Sequence, residues 1–547
     1  MKKLLFTIAL VLIFNLYSKA QAPNWEWAKS AGGTNEDFGR SVTTDASGNV
    51  YITGCFCSPT ITFGSITLTS NGNYDIFLVK YGSTGNVLWA KSAGSTNEDW
   101  GRDVTTDELG NIYITGFFSS LTITFDSTTL INNGGRDIFL VKYDSTGNVL
   151  WAKSAGGVEW DVGYSVTTDA SGNVYMSGYF RGDTITFDST ILINNGCYSA
   201  FLVKYNATGN VLWAKNAGGL ANGYSIDTDA SENVYMTGVF SGSITFGSIT
   251  LTNNGEYGIF LVKYNATGNV LWAKGAAGTD WDEAWSTTSD ASGNVYITGY
   301  FRSDTITFDS TILTSNGIED VFLVKYNSTG NMLWAKSAGG NSYDSGHGVT
   351  TDALGNVYLT GYFCSPTITF DSVTLINNNS SDTTDIFLVK YDSTGNVLWA
   401  KSAGGANSDG GFSVTIDASG NIYITGYFKS DIITFGSTIL TNNGIYDIFL
   451  VKLHDIIVNI NENNFDNEIK LYPNPTNNFV NLEIQNTENE KLLVEITNIN
   501  GQFMYKKQYN KTANSTIQID LSSYPKGVYL IKLRTDKFVK VSKLVLQ

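Results

Sequence analysis

Two sets of side chains return at near-regular spacing along the 547-residue chain, and they are the first candidates for chemistry. One is acidic: Asp37, Asp99, Asp161, Asp282, Asp344 and Asp409, with Ala221 at the matching place in one repeat. A loop carboxylate either accepts hydrogen bonds from its own loop's amides or ligates a hard cation such as calcium. These carboxylates stand singly, without the dense D-x-D spacing of a strong calcium loop. The primary reading is therefore structural, with no cofactor expected and calcium as the alternative. The second set lies three residues further on: Arg40, Arg102, Tyr164, Tyr224, Trp285, His347 and Phe412. It changes in kind from repeat to repeat yet is large every time. Aromatic faces with two guanidiniums suit stacking on, and hydrogen bonding to, a glycan or a protein ligand. Packing between repeats is the competing reading.

No catalytic residue is assigned. The chain holds no G-x-S-x-G, no H-E-x-x-H and no phosphate loop. Its two histidines, His347 and His454, are too few for a histidine-based metal site or triad. Acidic side chains are plentiful, so a paired-carboxylate glycosidase or lyase is the alternative function. The irregular repeats 4 to 6, with Asp280, Asp282, Glu283 and His347, are the first place to look for it. Cys55, Cys57, Cys197 and Cys364 follow neither a disulfide nor a zinc pattern.

The elements that must position these residues are short strands. Tryptophans 27, 89, 151, 213, 272, 334 and 399 sit in repeated W-A-K segments at spacings of 62, 62, 62, 59, 62 and 65. Each unit reads as four strands, in the first repeat Ser41–Asp45, Val50–Phe56, Ile76–Tyr81 and Val87–Lys91. Tight turns of the type Asp-Ala-Ser-Gly-Asn and Asp-Ser-Thr-Gly-Asn join them. Repeat 4 carries Glu232 where the others have the turn glycine, so that turn is expected to place a non-glycine residue at positive φ. The third strand is apolar at nearly every position, which requires cover on both faces. Sheets stacked around an axis give a β-propeller. The first three strands occur seven times, but the last repeat has no W-A-K strand. The missing one stands at the other end, at 25–30, and is expected to close the ring. Trp27 in that strand is expected to be buried, so that Trp27→Ala destabilises the whole ring. The short turns then share one face, and the longer connections share the other, where binding is expected. The I-T-F-D-S-T-T-L insertions are expected to form small hairpins on that binding face.

The motif D-x-G-x-S-V-x-T-D-A-S-G-N-V-Y-x-T-G resembles the SBBP repeat, the β-propeller repeat of secreted and surface proteins of Bacteroidetes. The resemblance spans residues 25–453 and implies seven blades without one common activity. Residues 468–547 do not repeat; alternating strands with Pro-Asn-Pro and Pro-Lys-Gly turns suggest a small β-sandwich. This segment is similar to the type A C-terminal sorting domain of the type IX secretion system. The residues that match are Leu471, Tyr472, Pro473, Asn474, Pro475, Gly527, Tyr529, Lys543, Leu544 and Val545. The resemblance implies the type IX machinery as a partner, and a chain secreted or held at the outer cell surface by way of the periplasm.

The expected organisation is a signal peptide at 1–20, a propeller at 21–454, a linker at 455–467 and the sorting sandwich at 468–547. Lys2 and Lys3, the apolar run to Leu16 and Ser18-Lys19-Ala20 have the form of a secretory leader. No transmembrane segment is expected in the mature chain. The formal charge of −16 disfavours nucleic acid as a partner. It is unevenly placed: residues 21–467 carry 20 basic and 43 acidic side chains, residues 468–547 carry 11 and 7. The fold class is all-β, and the function is a binding, adhesion or scaffold module exported through its C-terminal domain.

Overall fold

Each repeat passes the chain four times through an antiparallel sheet, here called a blade with strands A to D. In blade 1 these are Asp37–Thr44, Val50–Phe56, Asp75–Tyr81 and Val87–Ala93, hydrogen-bonded in that order. The computed structural model describes residues 22–194, 197–378, 382–455, 469–484, 491–498, 503–510, 515–534 and 539–546. The expected leader at 1–20 and, Asp455 apart, the linker at 455–467 lie outside the described residues. Contacts divide the chain into two compact units, Met1–Asp455 and Ile456–Gln547.

The first unit is a seven-bladed β-propeller. Strand C is buried along its whole length in blades 1 to 6, because the next blade covers each face. Blade 7 consists of Asp409–Ile416, Asn421–Phe428 and Asp447–His454, with the N-terminal Trp25–Ala31 as its strand D. That strand pairs antiparallel with strand C, setting Trp27 opposite Lys452 and Ala31 opposite Ile448. The seam this creates is stitched like the others. The Val42 amide donates to Ser413 Oγ at 3.2 Å from blade 1 to blade 7, as the Val349 amide does to Ser286 Oγ at 3.2 Å between blades 6 and 5.

Two expectations need correction. The B–C insertions do form hairpins, for example Thr60–Phe63 with Ile66–Thr69, but not on the binding face. They run down the outside: Val149, at the start of strand D of blade 2, donates its amide to Asp126 at the hairpin tip at 3.0 Å. Alternate residues such as Ile123, Phe125 and Leu130 are buried beneath the hairpin. Strand D would otherwise present a bare edge, and the hairpin covers it. Trp27 is also less buried than expected. Six of the seven W-A-K tryptophans are half-buried, lying over the C–D turn glycine of the next blade as Trp27 lies over Gly85; only Trp399 is sealed, at 3% exposure.

The second unit has a three-stranded sheet of Ile469–Tyr472, Phe479–Ile484 and Ser515–Asp520. Its four-stranded sheet is Phe503–Asn510, Lys491–Asn498, Gly527–Arg534 and Val539–Leu546 in spatial order. Val480, Leu482, Val494, Ile519, Ile531 and Leu544 fill the space between them as a small β-sandwich.

Candidate functional site

Strand A starts four residues earlier than the sequence suggests, so the two recurring sets lie within it and not in the preceding loop. Its pairing with strand B is interrupted once. In blade 1 Gly39 pairs with Gly54 and Ser41 with Thr53, leaving Arg40 as a bulge. The same step recurs in the other six blades and leaves Arg102, Tyr164, Tyr224, Trp285, His347 and Phe412 unpaired. A bulge re-aims the side chain it carries. All seven line one axial cavity of about 210 Å³, together with residues that follow them in strand A, Asp103 and several serines among these.

Within the cavity the seven touch in sequence around the axis. Tyr224 stacks on Trp285 with centroids 4.5 Å apart and planes 11° apart, and Trp285 stacks on His347 at 5.6 Å. His347 meets Phe412 edge-on at 5.4 Å, and Tyr164 meets Tyr224 at 5.0 Å. The Arg40 guanidinium lies 4.6 Å from the Phe412 centroid, and that of Arg102 lies 5.2 Å from Tyr164. Each side chain is half-buried, so the ring both packs the blades together and walls the cavity. Burial, and then the charge of Arg102, push the Arg40 pKa down to about 10. Burial and the charge of Arg40 push His347 down to about 3, so its ring is neutral at neutral pH. Arg40 Nε, Arg102 Nε, Trp285 Nε1 and His347 Nε2 are sealed from solvent without a hydrogen-bond partner.

The recurring aspartates sit at the first position of strand A and are buried. Asp99 Oδ2 accepts from the Ser95 amide and from Ser120 Oγ, both at 2.8 Å, and Oδ1 accepts from the Ser119 and Ser120 amides at 3.1 and 3.2 Å. Asp37, Asp344 and Asp409 repeat these bonds; Asp282 accepts from Gly278, Ser303 Oγ and the Ser303 amide. In blade 3 the serine is replaced by Gly182, and Asp161, with fewer donors against its burial, is pushed up to about 7. Each carboxylate thus ties the D–A and B–C loops together. Among the described residues no cluster of three or more His, Cys, Asp or Glu side chains is arranged to hold a metal ion.

Sequence reasoning missed the partner of this set. Asp75, Asp137, Asp320, Asp385 and Asp447 open strand C in five blades, and each lies across a seam from the strand-A aspartate of the next blade. One oxygen of each, Oδ1, is sealed and unpartnered. The signal was present as a joint substitution: where strand A has Ala221, the strand C before it begins with Ser199. A second cavity, of about 220 Å³, opens between blades 3, 4 and 5 and is lined by Tyr198, Asn222, Tyr224, Tyr257, Trp281 and Glu283 among others. Burial pushes Glu283 up to about 7, against a hydrogen bond with Tyr300 and the charge of Arg302. Asp280 donates its amide to Ser303 Oγ at 3.0 Å, while Asp282 is committed to its own loop. Cys55, Cys57, Cys197 and Cys364 are free thiols.

Family models match this chain in two ways. A Beta-propeller repeat model, SBBP, matches residues 26–54, 89–116 and 333–362, and a Secretion system C-terminal sorting domain model matches residues 470–547. The chain carries SBBP β-propeller repeats and a type IX sorting domain. That domain indicates a secreted or cell-surface protein exported across the outer membrane. An uncharacterized WD repeat-containing protein of Acanthamoeba polyphaga mimivirus is 28% identical over 532 residues, covering 79% of this chain and 38% of that protein. Regulatory protein FlaEY of Caulobacter vibrioides is 31% identical over 134 residues, 24% of this chain and 14% of that protein. The chain thus spans well under half the length of either relative. A mutant Synechocystis apocarotenoid oxygenase structure aligns at TM-score 0.34 and 8% identity, covering 79% of this chain and 94% of that one. A second mutant of it aligns at TM-score 0.36 and 8% identity with the same coverage, and no argument rests on scores of this size.

In the sorting domain the two ends of the matched motif meet. Val545 donates its amide to Asn474 Oδ1 at 2.9 Å, and Thr476 donates its amide to the Val545 carbonyl at 2.8 Å. Leu544 and Tyr529 are buried in the sandwich, and Leu471 packs against it. Tyr472-Pro473 and Asn474-Pro475 are cis. The Lys543 side chain lies outside the described residues. Among the described residues no helix is long and apolar enough to cross a membrane.

Proposed function

We propose that this chain is an exported binding module whose contact surface is the long-loop face of the propeller and the axial cavity within it. One observation carries the reading. Seven bulges, identical in backbone, deliver seven side chains that do not repeat in kind: two arginines, two tyrosines, a tryptophan, a histidine and a phenylalanine. Packing alone would accept one side chain seven times, as it does at the strand-B tyrosines, Tyr51 and its six counterparts. The class of ligand is a glycan or a protein, and the module acts in adhesion or as a scaffold. A leader removed after Ala20 takes the chain to the periplasm, and the sorting domain hands it to the type IX machinery, which either removes the domain or attaches it at the surface.

The test is a glycan and peptide array probed with wild type, Tyr224→Ala and Trp285→Ala. A ligand retained by wild type and weakened at least about tenfold in both variants supports the reading; that loss corresponds to about 1.4 kcal/mol. No ligand on either array, or unchanged binding in the variants, opposes it. Export is tested by fusing 468–547 to a periplasmic passenger in a competent host, where absence of the passenger outside the cell would oppose the sorting role.

A second reading rests on Glu283. A carboxyl group held near neutrality beside Tyr257 and Trp281 suits a general acid acting on a saccharide. Turnover of a polysaccharide panel that is abolished in Glu283→Gln would favour it over pure binding.

A further inference from the structure

The two arginines of the ring pose a problem of charge. Arg40 and Arg102 come from adjacent blades and face the same cavity, near enough for the charge of Arg102 to act on Arg40. The ion-paired arginines of the described residues are Arg136, Arg181 and Arg302; neither ring arginine is among them. The one carboxylate in the cavity wall, Asp103, is already committed. Its Oδ1 accepts from Ser41 Oγ at 2.6 Å and the Val104 amide at 2.9 Å, and its Oδ2 accepts from Ser165 Oγ and the Val166 amide, both at 2.9 Å.

Aromatic rings answer only part of the need. Arg40 lies against Phe38, Trp100 and Phe412, and Arg102 against Trp100, Phe117 and Tyr164, at 4.6 to 5.6 Å from the centroids. Ring faces attract the cation, but they offer no acceptor lone pair to the N–H groups in the guanidinium plane. Two like charges on one cavity wall, with the Nε of each sealed from solvent and unpaired, are a costly arrangement unless an anion completes it. Further unpartnered nitrogens belong to Trp285 and His347, in blades 5 and 6, across the axis from blades 1 and 2. The cavity therefore has two cations on one wall and two ring nitrogens without partners on the other, and its one carboxylate is already engaged.

We propose that the axial cavity is a carboxylate site, in which Arg40 and Arg102 share the two oxygens of one acid group. A planar carboxylate matches the guanidinium fork, and two forks from adjacent blades can hold it from both sides. A single acid group is specified, not a polyanion. With 20 basic against 43 acidic side chains over residues 21–467, the propeller repels an extended negative chain at long range. The acid is a small free carboxylate or the acidic end unit of a saccharide. The inference deepens the binding reading of the same ring and rests on it for the ligand's biological role, though not for the anion itself.

The experiment is a titration of the full chain, at constant chloride, with sodium acetate, glucuronate, glucose and acetamide, read by calorimetry and by thermal shift. Acetate and glucuronate are expected to bind and to raise Tm by several degrees; acetamide and glucose are not. Equal affinity for the two acids assigns the site to a free carboxylate, and at least tenfold tighter glucuronate assigns it to a saccharide acid. Arg40→Gln with Arg102→Gln is expected to lose the response while melting no lower than wild type without acid, because two unpaired charges have been removed. Equal responses to acetate and acetamide on wild type overturn the proposal whether or not the double variant folds. So does an undiminished acetate response in the double variant. If the arrays find a ligand whose binding survives in the double variant while acetate does not bind wild type, the binding reading stands and the carboxylate site falls. A positive acetate titration with blank arrays leaves the site standing and removes the broader reading.

Discussion

Glu232 sits where six other blades use glycine, and its φ is +58°, against +73° to +82° at the six glycines. A side chain in the left-handed region costs about 1–2 kcal/mol relative to the right-handed one. Part of that cost is offset by the hydrogen bond Ser171 donates across the seam to Glu232. Glu232→Gly is therefore expected to raise stability by at most about 1 kcal/mol, read as a higher midpoint in a urea melt. An equal or lower midpoint would mean that the seam bond outweighs the strain. A second single-residue prediction concerns the loop tie. Ser120 supplies both a hydroxyl and an amide to the buried Asp99 carboxylate. Ser120→Ala leaves an oxygen short of a donor in a place closed to water. It should cost about 1.5–3 kcal/mol, the range for a hydrogen bond to a charged group. A loss below about 0.5 kcal/mol would place the carboxylate in its neutral form.

At the scale of elements, much was legible because it is written locally. Apolar strand C, the five-residue turns and the missing seventh W-A-K strand are properties of neighbouring residues, and they led to seven blades and to the closing strand. The bulge was not legible. It is a relation of register between strands A and B, so sequence reasoning found Arg40 and its counterparts by their variability but placed them in a loop. The hairpins were misplaced for a similar reason. Their pattern shows two strands, while their position is decided by the bare edge of strand D, which belongs to another part of the repeat. The closing strand supports a graded prediction. Trp27 is half-buried, so Trp27→Ala should cost about 2 kcal/mol, whereas the sealed Trp399 should cost about 3–5 kcal/mol. Deleting 22–33 goes further. It exposes the edge of Asp447–His454 and removes the partner of Lys452, so the ring should melt earlier as one unit and self-associate on size exclusion. Unchanged melting and a monomeric profile would mean that blade 7 holds without its fourth strand.

At the scale of the whole molecule the seams themselves titrate. Five of the seven carry two buried aspartates each, one from strand C and one from the next strand A. Burial first, and then the neighbouring aspartate, push Asp75, Asp320 and Asp447 up to about 6; Asp385 and Asp409 reach about 6 and Asp161 about 7. In an unfolded chain an aspartate titrates near about 3.9. Between that value and the folded ones the native ring binds more protons than the unfolded chain, so its stability falls as pH rises. This contribution is whole below about pH 4 and is spent by about pH 7. The turn aspartates Asp45, Asp169, Asp229 and Asp290 act oppositely. Burial works against their charge, but hydrogen bonds from Asn49, Asn173, Asn233 and Asn294, aided by a strand-C lysine, outweigh it and hold them below the usual value. Their contribution is present above about pH 4 and lost below it. The two sets together place the stability maximum at about pH 4.5–5, not at neutrality. Thermal melts from pH 4 to 8 should show Tm descending between about pH 5 and 7. Replacing Asp75, Asp137, Asp320, Asp385 and Asp447 by asparagine should flatten that descent and raise Tm at pH 8, since one carboxylate then remains in each seam without a like-charged neighbour. Should the fivefold variant keep the wild-type slope, the titrating groups lie elsewhere and the seams are held in their charged form. Should the slope vanish in the variant alone, protonation of the strand-C aspartates is what relieves the charge buried in those five seams.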